Sequence, residues 1–288
     1  MIWNTSISES FTSTIADVYD KHGNPICEKN IIANSDNQYI NDWIKPYRAD
    51  KKDKGVIAKF PFKGNDFQNQ NMIAIVHPKM IYNKEAGQFL INSNNLIKAS
   101  IYYAVRHCIE ATWLNDRDQF LFPNDNWEKD IEFQNDCFTY SLFSNNISVK
   151  YGINNWIPFT EEEVDAQERF ESDFMTRFIL GTLKNEEKSN IDIFEIKTNK
   201  NTPLIFSEES SNVFNAGKYL WKYYNQQPDC NANAALYGIR EYFQGRNQIG
   251  KMNSKSDDSV YTELISSLRN ATKILEKKKN LKYMNLVF

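Results

Sequence analysis

Cations and side-chain amides are concentrated in residues 245–255, which read GRNQIGKMNSK. Counting one arginine just upstream, the candidate side chains are Arg240, Arg246, Asn247, Lys251, Asn253 and Lys255. Lys and Arg neutralise phosphates, while Asn and Arg can also hydrogen-bond to base edges. This stretch therefore predicts a DNA contact. A solvated connection between two helices explains the same residues equally well.

The same stretch is not a nucleotide-binding P-loop. Its GRNQIGKM string has the G-x-x-x-x-G-K-[ST] spacing, but Met252 stands where a metal-binding hydroxyl is required. No apolar strand leads into it either. We therefore exclude nucleotide binding at this position.

A metal-dependent nuclease is the alternative enzymatic interpretation. Asp192, Glu195 and Lys197 resemble the end of a nuclease motif in which carboxylates hold Mg²⁺ and the lysine assists the attacking water. An ordinary strand with alternating side chains explains the triplet more simply. The chain contains no G-x-S-x-G, H-E-x-x-H or G-x-G-x-x-G string, so no other catalytic motif is present.

A second polar cluster, at residues 115–118, follows a predicted amphipathic helix that opens the stretch 96–123. The apolar positions of this helix fall at i, i+3 and i+4 spacing: Ile97, Ile101, Ala104, Val105, Cys108, Ile109 and Thr112. Ser93 and Asn94 are candidate N-caps. Arg106 is expected to pair with Glu110 on the solvated face. Further candidate DNA contacts here are Arg106, Asn115 and Arg117, although a capped core helix with a solvated turn explains the pattern too.

The remaining patterns predict an α+β fold, with a mixed β-rich N-terminal half around the central amphipathic helix and a helical C-terminal half. Strands are expected near 11–19, 26–32, 56–60 and 72–76, and a hairpin from 136–143 to 147–151. A capping box at Thr160 predicts a helix that ends at Gly181. Further helices are expected after Ser207, over 233–244 and over 257–278. The polar stretch from 184 divides the chain into a mixed α/β recognition-like domain (1–183), a linker (184–206) and a helical domain (207–288).

Composition narrows the class of protein. The 288 residues carry a net charge of -3, which makes a small dedicated nucleic-acid binder less expected but still allows cations gathered on one face. Four scattered cysteines favour reduced thiols in a cytoplasm over disulfides or zinc, and three histidines are too few for a histidine-rich metal site. No apolar stretch is long enough to span a bilayer, and no signal segment indicates export.

Several long strings resemble the C-terminal part of large bacterial adenine-specific DNA methyltransferases of type II (type IIG-like) restriction–modification systems. The resemblance covers roughly residues 90–275. Its strings are KASIYYAVRHCIEATWLNDRDQFLFP (98–123), NDCFTYSLF (135–143), NWIPFTEEEV (155–164), FESDFM (170–175), VFNAGKYLWKYY (213–224) and LYGIREYFQGRNQIGKMN (236–253). The resemblance implies target recognition or DNA clamping, with double-stranded DNA and a methyltransferase catalytic domain or subunit as partners.

The departures from that family concern catalysis. The F-x-G-x-G type methyl-donor loop is absent, and so is the N/D-P-P-Y/F tetrad, since the chain has no Pro-Pro pair. We therefore expect no cofactor in this chain; S-adenosylmethionine is expected only in a missing or partner catalytic domain. A scaffold that packs on that domain without binding DNA is a third interpretation.

Overall fold

The computed structural model describes most of the chain in separate ranges. The described residues are 13–19, 22–32, 40–49, 55–60, 73–75, 89–107, 121–123, 127–143, 147–149, 153–183 and 202–286. The nuclease-like triplet Asp192, Glu195 and Lys197 and the polar residues Asn115 and Arg117 lie outside these ranges.

Helices and strands both occur in these ranges, which confirms the α+β class at a coarse level. The strands are β1 (Ser13–Tyr19), β2 (Pro25–Ile32), β3 (Ala58–Phe60), β4 (Ile73–Ile75), β5 (Phe89–Ile91), β6 (Leu121–Pro123), β7 (Ile147–Val149) and β8 (Met284–Leu286). The helices are α1 (Ile40–Trp43), α2 (Leu96–Val105), α3 (Ile131–Leu142), α4 (Phe174–Ile179), α5 (Glu208–Asn225), α6 (Leu236–Gln244) and α7 (Ser259–Tyr283).

The strands form three small sheets. Strands β1 and β2 make an antiparallel hairpin whose turn contains Gly23 at φ +83, a left-handed conformation that glycine adopts without a Cβ clash. A four-stranded sheet has the order β5-β3-β4-β7, in which β4 and β7 run parallel. Strands β6 and β8 pair antiparallel. The strands predicted near 11–19, 26–32, 56–60 and 72–76 are therefore confirmed, with shifted ends.

The central helix is confirmed as α2, and Ile101 and Val105 on its predicted apolar side are fully buried. Its start differs from prediction, because the N-cap position belongs to Asn95 rather than Ser93 or Asn94. The side-chain amide of Asn95 donates to the Leu90 carbonyl at 2.8 Å, and this hydrogen bond joins the start of the helix to β5.

The strand predicted over 136–143 is wrong, because these residues belong to α3. Asp130 caps α3 by accepting a hydrogen bond from the Phe133 amide at 2.9 Å. From Asn135 onward every side chain of α3 is buried, so the one-sided period that marks an amphipathic helix is absent. The partner strand does form, as β7, but it pairs with β4 instead of residues 136–143.

The helix predicted from Thr160 to Gly181 is also wrong in extent. The capping box forms, with the Glu163 amide donating to Thr160 Oγ1 at 3.3 Å and the Thr160 amide donating to Glu163 Oε2 at 3.0 Å. Only a 3₁₀ turn follows, however, since Asp165 adopts a left-handed φ of 50°. The short α4 forms nearer to Gly181, whose φ of +67 suits the residue after a helix.

The three C-terminal helices are confirmed to within a few residues at most of their ends; α7 extends beyond the predicted end, to Tyr283. Ser207 caps α5 by accepting a hydrogen bond from the Ser210 amide at 3.1 Å. Asp258 does the same for the first turn of α7, where it accepts from the Tyr261 amide at 2.8 Å. These local capping signals explain why the helix starts can be read from the sequence.

One continuous cluster of buried side chains contains residues from both sides of the predicted linker. The Phe143 ring, just after α3, lies 5.2 Å from the Phe214 ring and 6.3 Å from the Trp221 ring of α5. The side-chain amide of Asn225 in α5 donates to the Val164 carbonyl at 3.1 Å. The predicted division into two domains stays a prediction, but its two sides pack on each other.

A buried polar junction joins three helices. Asp136 of α3 accepts hydrogen bonds from the Ser207 and Ser210 hydroxyls at 2.6 and 2.8 Å, and Lys278 of α7 lies 3.1 Å from its carboxylate. Lys278 also contacts Glu132 at 2.9 Å and Glu209 at 2.8 Å. Charges removed from water must be paired, so this junction fixes α3, α5 and α7 in one arrangement.

Within the described ranges, no helix is both long enough and apolar enough to cross a membrane.

Candidate nucleic-acid interface

The connection from α6 to α7 is a short hairpin rather than an open loop; we call residues 245–253 the α6–α7 hairpin. Arg246 and Met252 form an antiparallel bridge. The Asn253 amide donates to the Gly245 carbonyl at 3.0 Å, and the Asn247 amide donates to the Lys251 carbonyl at 2.9 Å. The glycine-punctuated stretch therefore has a defined backbone.

The tip of the hairpin is held by one asparagine. Asn247 Oδ1 accepts hydrogen bonds from the amides of Ile249 at 3.2 Å and Lys251 at 2.9 Å, and the Gly250 amide donates to the Asn247 carbonyl at 2.9 Å. Gly250 has φ +77, which favours glycine at this turn. The side-chain oxygen of Asn247 thus has a structural role.

The base of the hairpin is joined to the end of α6. Asn253 Nδ2 donates to the Gln244 carbonyl at 2.8 Å, and Ser256 Oγ donates to the Phe243 carbonyl at 2.7 Å. The last carbonyls of a helix have no partner within the helix, so these bonds satisfy groups that α6 leaves open. Asn253, predicted as a DNA contact, is thus used to anchor the hairpin.

Arg246 is also engaged by its own chain. Its guanidinium donates to the Glu241 carboxylate, to the Gly250 carbonyl and, at 3.4 Å, to the Tyr237 hydroxyl. The hydrogen bond to Glu241 is the main cause that raises the pKa of Arg246 above its ordinary value. We therefore infer that Arg246 stabilises the hairpin, whereas its position in the sequence predicts a phosphate contact.

Arg240 lies on α6 and is half-buried. Burial lowers the pKa of this guanidinium, and the neighbouring charge of Arg269 on α7 lowers it further. Arg240 and Arg269 are therefore near enough to interact electrostatically. The clustering of Arg240 with Lys251 and Lys255 stays a prediction.

Lys251 and Lys255 are exposed. Neither forms an ion pair within the ranges that the structure describes. Gln248 beside the tip is exposed as well, and Asn247 Nδ2 makes no hydrogen bond to any described residue. Of the predicted DNA contacts on this hairpin and after it, the two lysines and the Asn247 amide group are the ones left for an outside partner.

Arg106 lies elsewhere and differs most from prediction. The expectation that it is on the solvated face of α2 is wrong, because the residue is 5% exposed. Its guanidinium donates to the Tyr102 hydroxyl at 2.8 Å, one helical turn earlier. A buried guanidinium cannot reach a duplex without rearrangement, so we leave Arg106 out of the interface. Asn115 and Arg117 stay predictions.

Sequence reasoning missed a row of cations on α7. Arg269, Lys273 and Lys277 recur every four residues and all are exposed. Such spacing places them on one face, about 6 Å apart along the axis. Arg269, at one end of the row, is the neighbour of Arg240. The four-residue recurrence of cations is the sequence signal that marks this row.

Among the described residues, no group of three or more His, Cys, Asp or Glu side chains is arranged to hold a metal ion. No family model matches the chain, and comparisons with curated proteins and with solved structures found no significant match.

Proposed function

We propose that this chain is a double-stranded-DNA-binding target-recognition or clamp region that serves an adenine-specific methyltransferase catalytic domain. The observation that carries the proposal is the braced α6–α7 hairpin, which holds Lys251 toward solvent, with Lys255 just after it and no acidic residue from 245 to 255. Phosphate contacts supply most of the non-specific affinity of such proteins. A braced support reduces the conformational entropy that binding would otherwise cost.

The resemblance to the C-terminal part of restriction–modification methyltransferases supports the same proposal. Its last string, residues 236–253, covers α6 and the whole hairpin. In this proposal the β-rich N-terminal half with its central helix contributes recognition, and the helical C-terminal half clamps the backbone. Methyl transfer and its cofactor belong to another domain or subunit, because the donor loop and the tetrad are missing here.

A scaffold that binds only the methyltransferase is the second candidate. The paired Arg246 and the buried Arg106 favour it, since the charge of Arg246 is paired with Glu241 and Arg106 is buried. The row on α7 favours DNA instead. Lys251 and Lys255 are therefore the residues that discriminate between the two functions.

The test is a salt series of DNA binding by fluorescence anisotropy, with the full chain alone and with its methyltransferase partner. We expect the double variant Lys251→Gln/Lys255→Gln to weaken binding about equally across DNA sequences. The slope of log K against log salt should flatten by about one unit for each lysine that contacts a phosphate. Stability should not change, because neither side chain has a partner among the described residues.

The matched control is Lys129→Gln, which removes an exposed lysine before α3. This variant should retain the parent affinity and slope. No binding by the parent chain at low salt, alone or with its partner, would support the scaffold instead. An unchanged slope in the double variant would remove this hairpin from the interface.

A further inference from the structure

Ile249 stands at the tip of the α6–α7 hairpin and is 85% exposed. Burial of a large apolar side chain against a partner is favourable, so this side chain is available for such a contact. Single exposed apolar residues are common at protein surfaces. The position of this one is what distinguishes it.

Hydrogen bonds hold the backbone of the α6–α7 hairpin around Ile249. Asn247 Oδ1 holds the Ile249 amide itself, Arg246 fastens the neighbouring Gly250 carbonyl, and Asn253 joins the base to α6. These bonds hold the backbone of the hairpin while the Ile249 side chain is exposed at its tip. A hairpin whose backbone is already held can present an apolar group to a partner with a smaller loss of conformational entropy on binding.

The charges around the tip indicate what kind of partner would receive it. The stretch 245–255 contains no Asp or Glu in a chain that is acidic overall, and Lys251 and Lys255 follow the tip with exposed side chains. The nearby Glu241 is neutralised by Arg246. An apolar group flanked by cations matches a polyanion with an apolar interior, which is what stacked base pairs between two phosphate backbones provide.

We propose that Ile249 is an apolar wedge that enters the minor groove of duplex DNA and partly unstacks one base step. Proteins that bend DNA from the minor groove insert apolar side chains in this way, with Lys and Arg on the phosphates beside them. Pyrimidine–purine steps unstack most easily, so they are the expected sites of insertion. The inference rests on the proposed DNA-binding function and adds a local distortion of the duplex to it.

The experiment uses duplexes that carry the fluorescent base 2-aminopurine at a pyrimidine–purine step, titrated with the full chain. Its emission rises when the base is unstacked. We expect the parent chain to raise the emission at saturation, Ile249→Ala to lose most of that rise, and Ile249→Met to keep it. The salt slope of Ile249→Ala should equal that of the parent, because no phosphate contact is lost.

The control variant is Ile205→Ala, which truncates a 78% exposed isoleucine before α5 and should leave the emission unchanged. Two results would overturn the wedge while the proposed function stands: DNA binding with no emission rise, or a rise that Ile249→Ala retains. Loss of methyltransferase association by Ile249→Ala, with DNA binding unaltered, would assign the tip to a protein partner. A parent chain that binds no DNA would overturn the proposed function and the wedge with it.

Discussion

Asp136 shows at the scale of one residue how the C-terminal helices are fixed to the rest of the chain. The residue is 1% exposed, and its carboxylate accepts hydrogen bonds from two hydroxyls and pairs with the Lys278 ammonium. Burial lowers the pKa of Lys278, but the hydrogen bonds that its ammonium donates to Glu209, Glu132 and Asp136 outweigh burial and raise that pKa above its ordinary value. The ammonium therefore stays charged at neutral pH, where the buried carboxylate depends on it.

We expect Asp136→Asn to lower the free energy of unfolding by about 2–3 kcal/mol, because hydrogen bonds to a charged group are replaced by weaker ones. Urea unfolding at pH 7 measures the change. The control Glu162→Gln alters an exposed carboxylate in the 3₁₀ turn and should shift stability by less than about 0.5 kcal/mol. Equal midpoints for both variants would mean that the junction contributes little.

Residue type alone identifies only some of the candidate site residues. Residue type is sufficient to identify the cations and amides of 240–255 as candidate DNA contacts. It could not show that Arg246 pairs with Glu241, or that Asn253 serves the end of α6, since both depend on the hairpin's folded shape. The position of Arg106 has a related reason: helical spacing alone does not show that its guanidinium donates to the Tyr102 hydroxyl inside the fold.

At the scale of elements, the contact between α5 and the end of α3 depends on a glycine. Gly217 is buried in α5, and a Cβ built there would overlap the ring of Phe143. That ring is 2% exposed and packs against Phe214 and Trp221, so it has little room to move. The sequence favours a helix here despite the glycine, and the close approach of Phe143 explains why a glycine is present.

We expect Gly217→Ala to lower stability by about 1–2 kcal/mol, because overpacking exceeds the gain of about 1 kcal/mol in helix propensity. Thermal unfolding followed by circular dichroism measures it. The matched control is Gly238→Ala in α6, where the new Cβ would lie 3.2 Å from the Ala234 methyl and a small adjustment suffices. A Gly217→Ala protein more stable than the parent would show that Phe143 yields easily.

Elements were predicted well where local chemistry decides and poorly where the core decides. The starts of α5 and α7 follow from capping residues that act within one turn. The α3 helix is missed because burial on all sides hides its period, and the capping box at Thr160 is followed only by a 3₁₀ turn where a long helix is predicted. In that second case Glu163, which the box shares, also binds Lys218 of α5 at 2.8 Å, a partner distant in sequence.

For the whole molecule, the shared core bears on the predicted division at 184–206. Residues before that stretch supply Phe143, Phe159 and Val164 to a cluster that α5 completes with Trp221. The side-chain amide of Asn135 also donates to the Ile205 carbonyl at 2.7 Å, and Lys278 of α7 pairs with Asp136 of α3. A polar, aperiodic sequence marks where a chain can be cut, but it does not show whether the two sides fold separately.

We therefore expect a chain cut between residues 184 and 200, at an inserted protease site, to stay in one piece in solution. The two fragments should elute together in size-exclusion chromatography, because separation would expose Phe143, Phe214 and Trp221 to water. Unfolding should remain a single transition, at a temperature lowered by the added chain entropy. The control is residues 202–288 expressed alone, which should lose near-ultraviolet circular dichroism while keeping helical signal. Fragments that elute separately, each with its own sharp transition, would instead establish two independent domains, and the DNA-binding test could then be repeated on the helical one.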